Sequence, residues 1–178
     1  MHCQKRLSSS IVTESEANGR PPYKSSVVVE STANDRPSYN RNKGGTMIRQ
    51  LRVKTNGRTE LVDITQGVQR LVAESGVRSG VCYIYVPHTT SAITINENSD
   101  PNVGRDILKE LNKVVPFDDN YGHNEGNSAA HIKSSMVGVS KAVIVEDGRL
   151  ALGTWQAVFF CEFDGPRDRR VMVKVMKD

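Results

Sequence analysis

Short runs of alternating or continuous apolar residues follow one another from residue 48 to the C-terminus, and they predict most of the secondary structure. Runs of strand character cover residues 48–54, 60–64, 80–86, 92–95, 141–145, 155–163 and 171–176. Asn56-Gly57, between the first two runs, is a typical hairpin turn, so we expect these two strands to pair with each other. The patterned region is therefore predicted to be rich in antiparallel β-structure.

Three stretches between the strands have the signals of helices. Thr65 is placed to cap the first helix, and Gly76 is placed to end it. Asp100 and Pro101 are typical of the N-cap and the first position of the second helix. Weaker periodicity predicts a third helix over residues 129–137. Because the helices interrupt the strands without a regular βαβ order, the sequence predicts an α+β fold, a sandwich built on a mainly antiparallel β-sheet with two or three helices.

Residues 1–46 show no sustained period of either strand or helix and are rich in Ser, Asn, Pro and Arg. Such a composition buries little apolar surface, so we expect a disordered or dispensable extension before a domain that spans residues 47–178. The acidic residues Glu14 and Glu16 argue against an organelle transit peptide, because such peptides avoid acids. The expected location is therefore cytoplasmic.

Composition and charge narrow the classes of partner. No run approaches the roughly 18 apolar residues of a membrane span, so no membrane partner is expected. The net charge is +4, and residues 1–46 hold 7 Lys or Arg against 4 Asp or Glu. Since most of the basic excess lies outside the patterned region, no nucleic-acid groove is expected either. Cys82 and Cys161 lie in apolar runs and are expected to be buried free thiols.

The first cluster of polar residues able to do chemistry follows an apolar strand. His88 stands there beside Thr89 and Thr90. Residues at strand ends and in the loops after them are often the ones that a scaffold presents to a ligand. The two threonines either offer hydroxyl and backbone N–H groups to an anion or simply continue the strand.

A second polar cluster contains Asn96, Glu97 and Asp100. Asp100 is explained at least in part as a helix cap, and the residues before it are explained as a loop. The free amides of the helix that follows also suit a phosphate, although a capping carboxylate competes with such an anion. Asp100 therefore serves as a cap or a metal ligand more readily than as a phosphate neighbour.

The densest polar cluster brings five polar side chains of four chemical kinds into one short segment: His123, Glu125, Asn127, His131 and Lys133. A purely structural explanation for all five is strained, because buried polar groups are costly without partners. Imidazole and carboxylate groups are common ligands of zinc and similar ions, but the spacing matches no standard zinc motif. Lys133 either supplies a point charge for phosphate or is a solvated lysine.

The C-terminal part adds Glu162 in an apolar strand and Arg167 after a turn. Because side chains alternate along a strand, Glu162 is expected to face away from Cys161. Arg167 either clamps a phosphate bidentately or pairs with Asp164 or Asp168.

Several of these segments resemble, in order, the motifs of the YjbQ-like family. They are His88-Thr89-Thr90-Ser91-Ala92, Thr94-Ile95-Asn96-Glu97-Asn98, Asp100-Pro101, and residues 123–133, 149–156 and 160–167. The resemblance extends over residues 47–178 and implies a compact α+β subunit in a homotrimer, with a metal-containing polar pocket near the subunit contacts. It also implies a secondary thiamine-phosphate synthase, in which the nitrogen of a thiazole phosphate displaces pyrophosphate from an aminopyrimidine methyl pyrophosphate.

The resemblance and the polar clusters together suggest roles for these residues. The expected ligands of a divalent metal ion, Zn²⁺ or Mg²⁺, are His88, His123, His131 and Asp100. The expected phosphate-binding residues are Thr89, Thr90, Asn96, Asn127, Lys133 and Arg167. The expected catalytic residues are Glu97, Glu125, His131 and Lys133. Catalysis would rest mainly on positioning and on neutralising the leaving pyrophosphate.

The alternative hypothesis is a non-catalytic homotrimer that binds a metal ion or a small phosphorylated ligand. It has support from the sequence, because no nucleophile with an activating base is readable in it. In both hypotheses the expected partners are other copies of the chain and a small phosphorylated molecule.

Overall fold

A computed structural model describes residues 27–28 and 48–178 of the chain. These residues form nine strands and three helices. The strands are β1 (Val27–Val28), β2 (Ile48–Lys54), β3 (Glu60–Asp63), β4 (Gly80–Tyr85), β5 (Ser91–Glu97), β6 (Ser140–Glu146), β7 (Arg149–Leu150), β8 (Gln156–Glu162) and β9 (Asp168–Lys177). The helices are α1 (Thr65–Ser75), α2 (Pro101–Val114) and α3 (Ser128–Val137).

The strands form two antiparallel sheets. Sheet A has the strand order β1-β2-β9-β4-β6-β7, and sheet B has the order β3-β8-β5. The two sheets pack face to face, and their facing side chains join those of α1 in the main apolar core. Helices α2 and α3 cover the other face of sheet B. The order of layers is thus sheet A, sheet B and helices, which confirms the predicted α+β sandwich.

The central strand of sheet B is buried on both faces. Val158 and Phe160 of β8 point into the core between the sheets, whereas Phe159 and Cys161 point towards α2 and α3. This explains the nearly unbroken apolar run of β8, since a strand covered on both sides needs no polar face. Cys82 and Cys161 are buried free thiols, as expected, and burial raises the pKa of each to about 12.

The expected hairpin between the first two predicted strands is wrong. β2 pairs with β9 in sheet A, and β3 pairs with β8 in sheet B. The chain crosses from one sheet to the other through residues 55–59, where the Asn56 backbone N–H donates to the Glu60 carboxylate at 2.7 Å. Leu51 of β2 and Val62 of β3 thereby enter the same core from its two sides. The Asn-Gly pair therefore predicts only a local turn. The partners of β2 and β3 are decided by the burial of their apolar side chains.

The helix ends match the prediction in part. Asp100 caps α2, because its carboxylate accepts a backbone N–H bond at 2.8 Å, and Gly76 ends α1 in the left-handed conformation at φ 69°. Thr65, however, is the first residue of α1 and not its cap. Its hydroxyl donates to Asp63 at 2.6 Å and accepts from the Val158 N–H at 2.9 Å. Thr65 therefore ties α1 to sheet B.

The expected disorder concerns residues 1–46, and nearly all of them lie outside the described residues. Val27–Val28 are the exception, since they form β1 and pair with β2 at the edge of sheet A, where the pattern predicted no element. Among the residues that the structure describes, no helix has both the length and the apolar character needed to cross a bilayer.

Candidate functional site

Three loops meet at one end of the two sheets, which we call the loop end. They are residues 55–59 between β2 and β3, 86–90 between β4 and β5, and 163–167 between β8 and β9. The strand register brings them together, because Glu162 at the end of β8 lies opposite both Glu60 in β3 and Ser91 in β5. Polar side chains of these loops are therefore neighbours in space although they are distant in the chain.

A buried ion pair beneath the loop end joins the two sheets. Glu162 of β8 has no exposed surface, and Arg169 of β9 is 8% exposed. Arg169 donates two hydrogen bonds to the Glu162 carboxylate, from Nε to Oε2 at 2.7 Å and from Nη2 to Oε1 at 2.6 Å. The same carboxylate accepts from Thr55 Oγ1 and from the backbone N–H groups of Phe163 and Asp164, each at 3.0 Å. A buried charge is tolerated when it is paired and fully hydrogen-bonded, so this network is a rigid support for the loops.

Thr90 belongs to the same network. Its Oγ1 accepts from Arg169 Nη2 at 2.9 Å, and the residue is 6% exposed. Thr89 is exposed beside it and is the hydroxyl that faces solvent. Glu162 faces away from Cys161, as the alternation predicted, because it lies on the side of β8 that meets sheet A.

His88 is held by the backbone of β9. Its Nε2 accepts a hydrogen bond from the Arg170 N–H at 3.1 Å. Burial lowers the pKa of His88, and the positive charges of Arg169 and Arg170 lower it further. The environment thus favours a neutral imidazole at this position.

The turn after β8 connects the loop end to helix α3. Asp164 accepts from Arg167 Nη2 at 2.9 Å and from Asn127 Nδ2 at 3.2 Å. Of the alternatives considered for Arg167, pairing with Asp164 is the one observed, and 53% of the Arg167 side chain remains exposed. Asn127 is the N-cap residue of α3, so Asp164 anchors the start of this helix.

The N-terminal end of α3 carries hydrogen-bond donors without acceptors. No side chain among residues 48–178 caps the helix, and its first turn contains no acidic residue. The N–H groups of Ser128 and Ala129 have no acceptor among residues 48–178, and the Asn127 Oδ1 is buried without a partner. An uncapped helix end of this kind has a partial positive charge and suits an anion.

Two histidines lie at this helix end. His131 follows the N-cap residue Asn127 by about one helical turn. The rings of His123 and His131 meet edge-on with centroids 5.4 Å apart, and His123 Nε2 lies 3.7 Å from the exposed Glu125 carboxylate. The structure therefore brings together most of the densest polar cluster of the sequence.

Lys133 lies on the opposite side of α3 from His131. It has no exposed surface, so the alternative of a solvated lysine is wrong. Its Nζ donates to Asn112 Oδ1 at 2.8 Å and lies 3.6 Å from the centroid of the Phe117 ring. The guanidinium carbon of Arg58 lies 3.8 Å from the same centroid. No carboxylate among the described residues pairs with Lys133. Burial and the charge of Arg58 lower the pKa of Lys133 to about 8.

The remaining predicted residues lie at the other end of β5. Asn96 and Glu97 are its last two residues, whereas Ser91 at the loop end is its first. Six residue steps along a strand cover roughly 20 Å. Asp100 caps α2 just beyond Glu97. Within one chain, these three polar residues are therefore separate from the two histidines of α3.

The four predicted metal ligands do not meet at one point. Among the residues that the structure describes, no three His, Cys, Asp or Glu side chains are grouped so as to hold an ion. His88 Nε2 is engaged by a backbone N–H, and Asp100 caps a helix at the far end of β5. Of the four, His123 and His131 are the two that contact each other. The donor set of a single chain therefore does not fit the expected divalent ion.

Comparisons with known proteins define the family. A family model described as UPF0047 protein YjbQ-like matches residues 49–178. The UPF0047 protein YugU of Bacillus subtilis is 53% identical over 131 residues, which are 73% of this chain and 99% of that protein. The chain belongs to the YjbQ-like UPF0047 family. A UPF0047 protein of Methanocaldococcus jannaschii is also 53% identical, over 74% of this chain and 96% of that protein.

Solved structures of YjbQ-like proteins have the same fold. An uncharacterised member from Clostridium acetobutylicum, 53% identical, aligns with a TM-score of 0.70 over 71% of this chain and 98% of its own. A YbjQ-like protein of unknown function from Sulfolobus solfataricus, 34% identical, aligns with a TM-score of 0.72 over 75% of this chain and 98% of its own. These structures agree with the two sheets and three helices described above.

Several polar residues of this YjbQ-like chain were not predicted from its sequence. They are Thr55, Arg58, Asn112 and Arg169. Arg169 had a usable signal, because it precedes Val171 by two positions on the face of β9 that is buried in the core. Thr55 and Arg58 lie in the irregular segment between β2 and β3, where no periodicity marks the direction of a side chain, and Asn112 lies in the last turn of α2.

Proposed function

We propose that this YjbQ-like protein binds a phosphorylated small molecule at the N-terminal end of α3 and acts as a weak, secondary thiamine-phosphate synthase. The observation that supports the binding site is the uncapped first turn of α3, where the N–H groups of Ser128 and Ala129 lack acceptors within the part of the chain that the structure describes. His123 and His131 lie at the same place and add ring N–H donors. Phosphate oxygens bind to such helix ends through the amides and the helix dipole.

Arg167 supports the same site with a permanent positive charge. Its Nε donates to the Asp164 carbonyl at 2.7 Å and its Nη2 to the Asp164 carboxylate, which also holds Asn127 at the start of α3. A guanidinium has five donors, so the remaining ones are open to a second partner on the exposed side. Asp164 orients Arg167 for a phosphate that sits on the helix end.

This set of groups suits a substitution in which the protein chiefly stabilises a leaving group. The thiazole nitrogen attacks the methylene carbon with its own lone pair, the C–N bond forms, and the C–O bond to pyrophosphate breaks. No base is needed for the attack. Cys82 and Cys161 are buried thiols whose pKa is raised to about 12, so neither supplies a thiolate at neutral pH. Positioning and charge stabilisation of the departing pyrophosphate carry the reaction.

Turnover of the two precursors by the full chain tests this proposal. The protein is incubated with thiazole phosphate and aminopyrimidine methyl pyrophosphate in the presence of Mg²⁺, Zn²⁺ or Mn²⁺, and thiamine phosphate is measured. We expect Arg167→Met and His131→Ala each to lower turnover at least about tenfold, since a hydrogen bond to a charged group contributes roughly 1.5–3 kcal/mol. Arg78→Met is the matched control, because Arg78 is also an exposed arginine paired with an aspartate, at the opposite end of β4.

If the wild-type protein makes no thiamine phosphate, the proposed synthase reaction is wrong. Calorimetric titration with inorganic pyrophosphate then separates the remaining alternatives. Binding that is lost in Arg167→Met and kept in Arg78→Met is the result expected of a non-catalytic phosphate-binding protein. Wild-type protein that binds no pyrophosphate contradicts both functions.

We also propose that copies of the chain meet through the outer face of sheet A in the homotrimer that the family resemblance implies. Tyr83, Ile144 and Met176 on this face are 42%, 65% and 38% exposed. Val81 of β4 lies directly across from both Ile144 and Met176, so the apolar side chains form one continuous patch over three strands. An apolar patch of this kind on a sheet is typical of an interface between subunits.

Size-exclusion chromatography with light scattering is expected to give about three times the chain mass of 19.7 kDa. Ile144→Lys should convert the trimer to monomer, because it would bury a charge in the contact. Val114→Lys is the matched control, since Val114 at the end of α2 is also 65% exposed. A wild-type monomer, or a trimer that survives Ile144→Lys, contradicts this assignment of the face.

A further inference from the structure

We propose that His88 is a fixed hydrogen-bond donor that presents Nδ1–H to an oxyanion of the bound ligand, and that the Glu162–Arg169 pair is the element that positions it. The inference rests on the proposed phosphate-binding function and gives His88 a different role from the metal ligand expected from the sequence. The class of ligand group is a phosphate or pyrophosphate oxygen.

The hydrogen bond to His88 determines which ring nitrogen carries the proton. A backbone N–H can only donate, so His88 Nε2, which lies 3.1 Å from the Arg170 nitrogen, must use its lone pair as the acceptor. The proton of the neutral ring is then on Nδ1. Among residues 48–178 no group accepts a hydrogen bond from Nδ1. A half-buried histidine therefore keeps one oriented donor free for a ligand.

The charges around His88 favour an anion over a cation. Arg169 is neutralised by Glu162, but Arg170 is exposed and pairs with no carboxylate among the described residues. A metal ion at His88 would need a free lone pair, and the lone pair of this tautomer is already engaged. The positive charges that lower the pKa of His88 would also repel a cation.

The Glu162–Arg169 pair holds His88 from two sides. The backbone N–H of Arg170 donates to the His88 ring, and Arg170 directly follows Arg169 in β9. Because Arg169 is fixed by its two hydrogen bonds to Glu162, this ion pair also fixes the position of the Arg170 N–H. Arg169 also donates to Thr90, which lies two residues after His88 in the same loop. Glu162 is buried beneath both contacts and has no open route to the ligand, so it acts as a positioning residue.

Histidine-selective ¹⁵N NMR of the full chain tests the tautomer. At pH 7 we expect the His88 signals of a neutral ring with the proton on Nδ1. Added inorganic pyrophosphate should shift the Nδ1–H signal, and added Zn²⁺ should leave Nε2 unchanged. Thr90→Val removes one contact that holds the loop without removing the buried charge, and it should lower the fraction of the Nδ1–H tautomer. A proton on Nε2, or a Zn²⁺-dependent shift of Nε2, overturns the proposal.

Two substitutions at His88 test the donor by pyrophosphate titration. The amide of His88→Asn lies where Nδ1 was and should keep affinity within about threefold, whereas the amide of His88→Gln reaches the Nε2 position and affinity should fall at least about tenfold. Equal affinity in both variants overturns the role of His88, and the proposed function survives if Arg167→Met still abolishes binding. If the wild-type protein shows the Nδ1–H tautomer but binds no pyrophosphate, the proposed function fails and the role of His88 fails with it.

Discussion

Arg169→Met is expected to lower the free energy of unfolding by about 3–5 kcal/mol, the usual cost of removing one partner from a buried ion pair. The substitution keeps much of the side-chain volume, but it leaves the Glu162 carboxylate without its counter-ion at a position with no exposed surface. Water cannot replace the lost partner there, so the charge is either stranded or forced to take up a proton. Urea denaturation followed by circular dichroism measures the change.

Arg78→Met makes the same chemical change at an exposed ion pair and serves as the control. The side chains of Arg78 and Asp147 are 77% and 81% exposed, so the expected loss is below about 1 kcal/mol. Adding Glu162→Leu to Arg169→Met should restore part of the stability, because it removes the stranded charge. Restoration is incomplete, since Thr55 and the backbone N–H groups after β8 lose their acceptor. A loss no larger than that of the control would mean that the pair does not join the sheets.

Most strands and helices of this fold could be predicted because each has its own local pattern. β2 was predicted over residues 48–54, and α3 was predicted from periodicity to within one residue of its start. Alternation along β8 also predicted that Glu162 and Cys161 face opposite sides, because that depends only on strand geometry. These are properties of short segments, for which the period of apolar residues is sufficient.

The pairing of elements could not be predicted in the same way. The Asn56-Gly57 turn suggested a hairpin, but β2 and β3 belong to different sheets whose partners come from the last quarter of the chain. Thr55 binds Glu162 across 107 residues, and a single sequence does not reveal such a partner. The alternation along β9 marks Arg169 as buried, but it does not identify Glu162 as the counter-ion, so the role of Arg169 was missed.

The candidate site was predictable where functional groups cluster on one helix end, and it was not where they lie on a strand. His123, Asn127 and His131 are close in the chain, and a short helix keeps them close in space. The expected members Asn96 and Glu97 follow His88 closely in the chain as well, but an extended strand carries them about 20 Å away. Residues that are close in the chain are therefore also close in space at a helix end, whereas residues at the two ends of a strand are far apart.

The stability of the protein is expected to rise with pH between about 8 and 10.5 because of Lys133. Burial, with a further contribution from Arg58, lowers the pKa of Lys133 from 10.5 in the unfolded chain to about 8 in the folded one. Across this window the unfolded state binds more protons than the folded state, so the free energy of unfolding increases as the pH rises. At about 1.4 kcal/mol for each pH unit of difference, the gain is at most roughly 3 kcal/mol.

Lys133→Met isolates this contribution. The variant keeps a long side chain against Phe117 but has no proton to release, so its unfolding free energy should lack the rise seen in the wild type. Lys109→Met, at an exposed position of α2, makes the same change without burial and should follow the wild-type curve. Arg58→Met should reduce the rise, because it removes the positive charge that disfavours the ammonium. Urea denaturation at pH 8, 9 and 10 gives the dependence of stability on pH for the wild type and the three variants. If wild type and Lys133→Met run parallel over this range, the amine titrates as a solvated lysine does, and its burial against Phe117 and Asn112 is not maintained in solution.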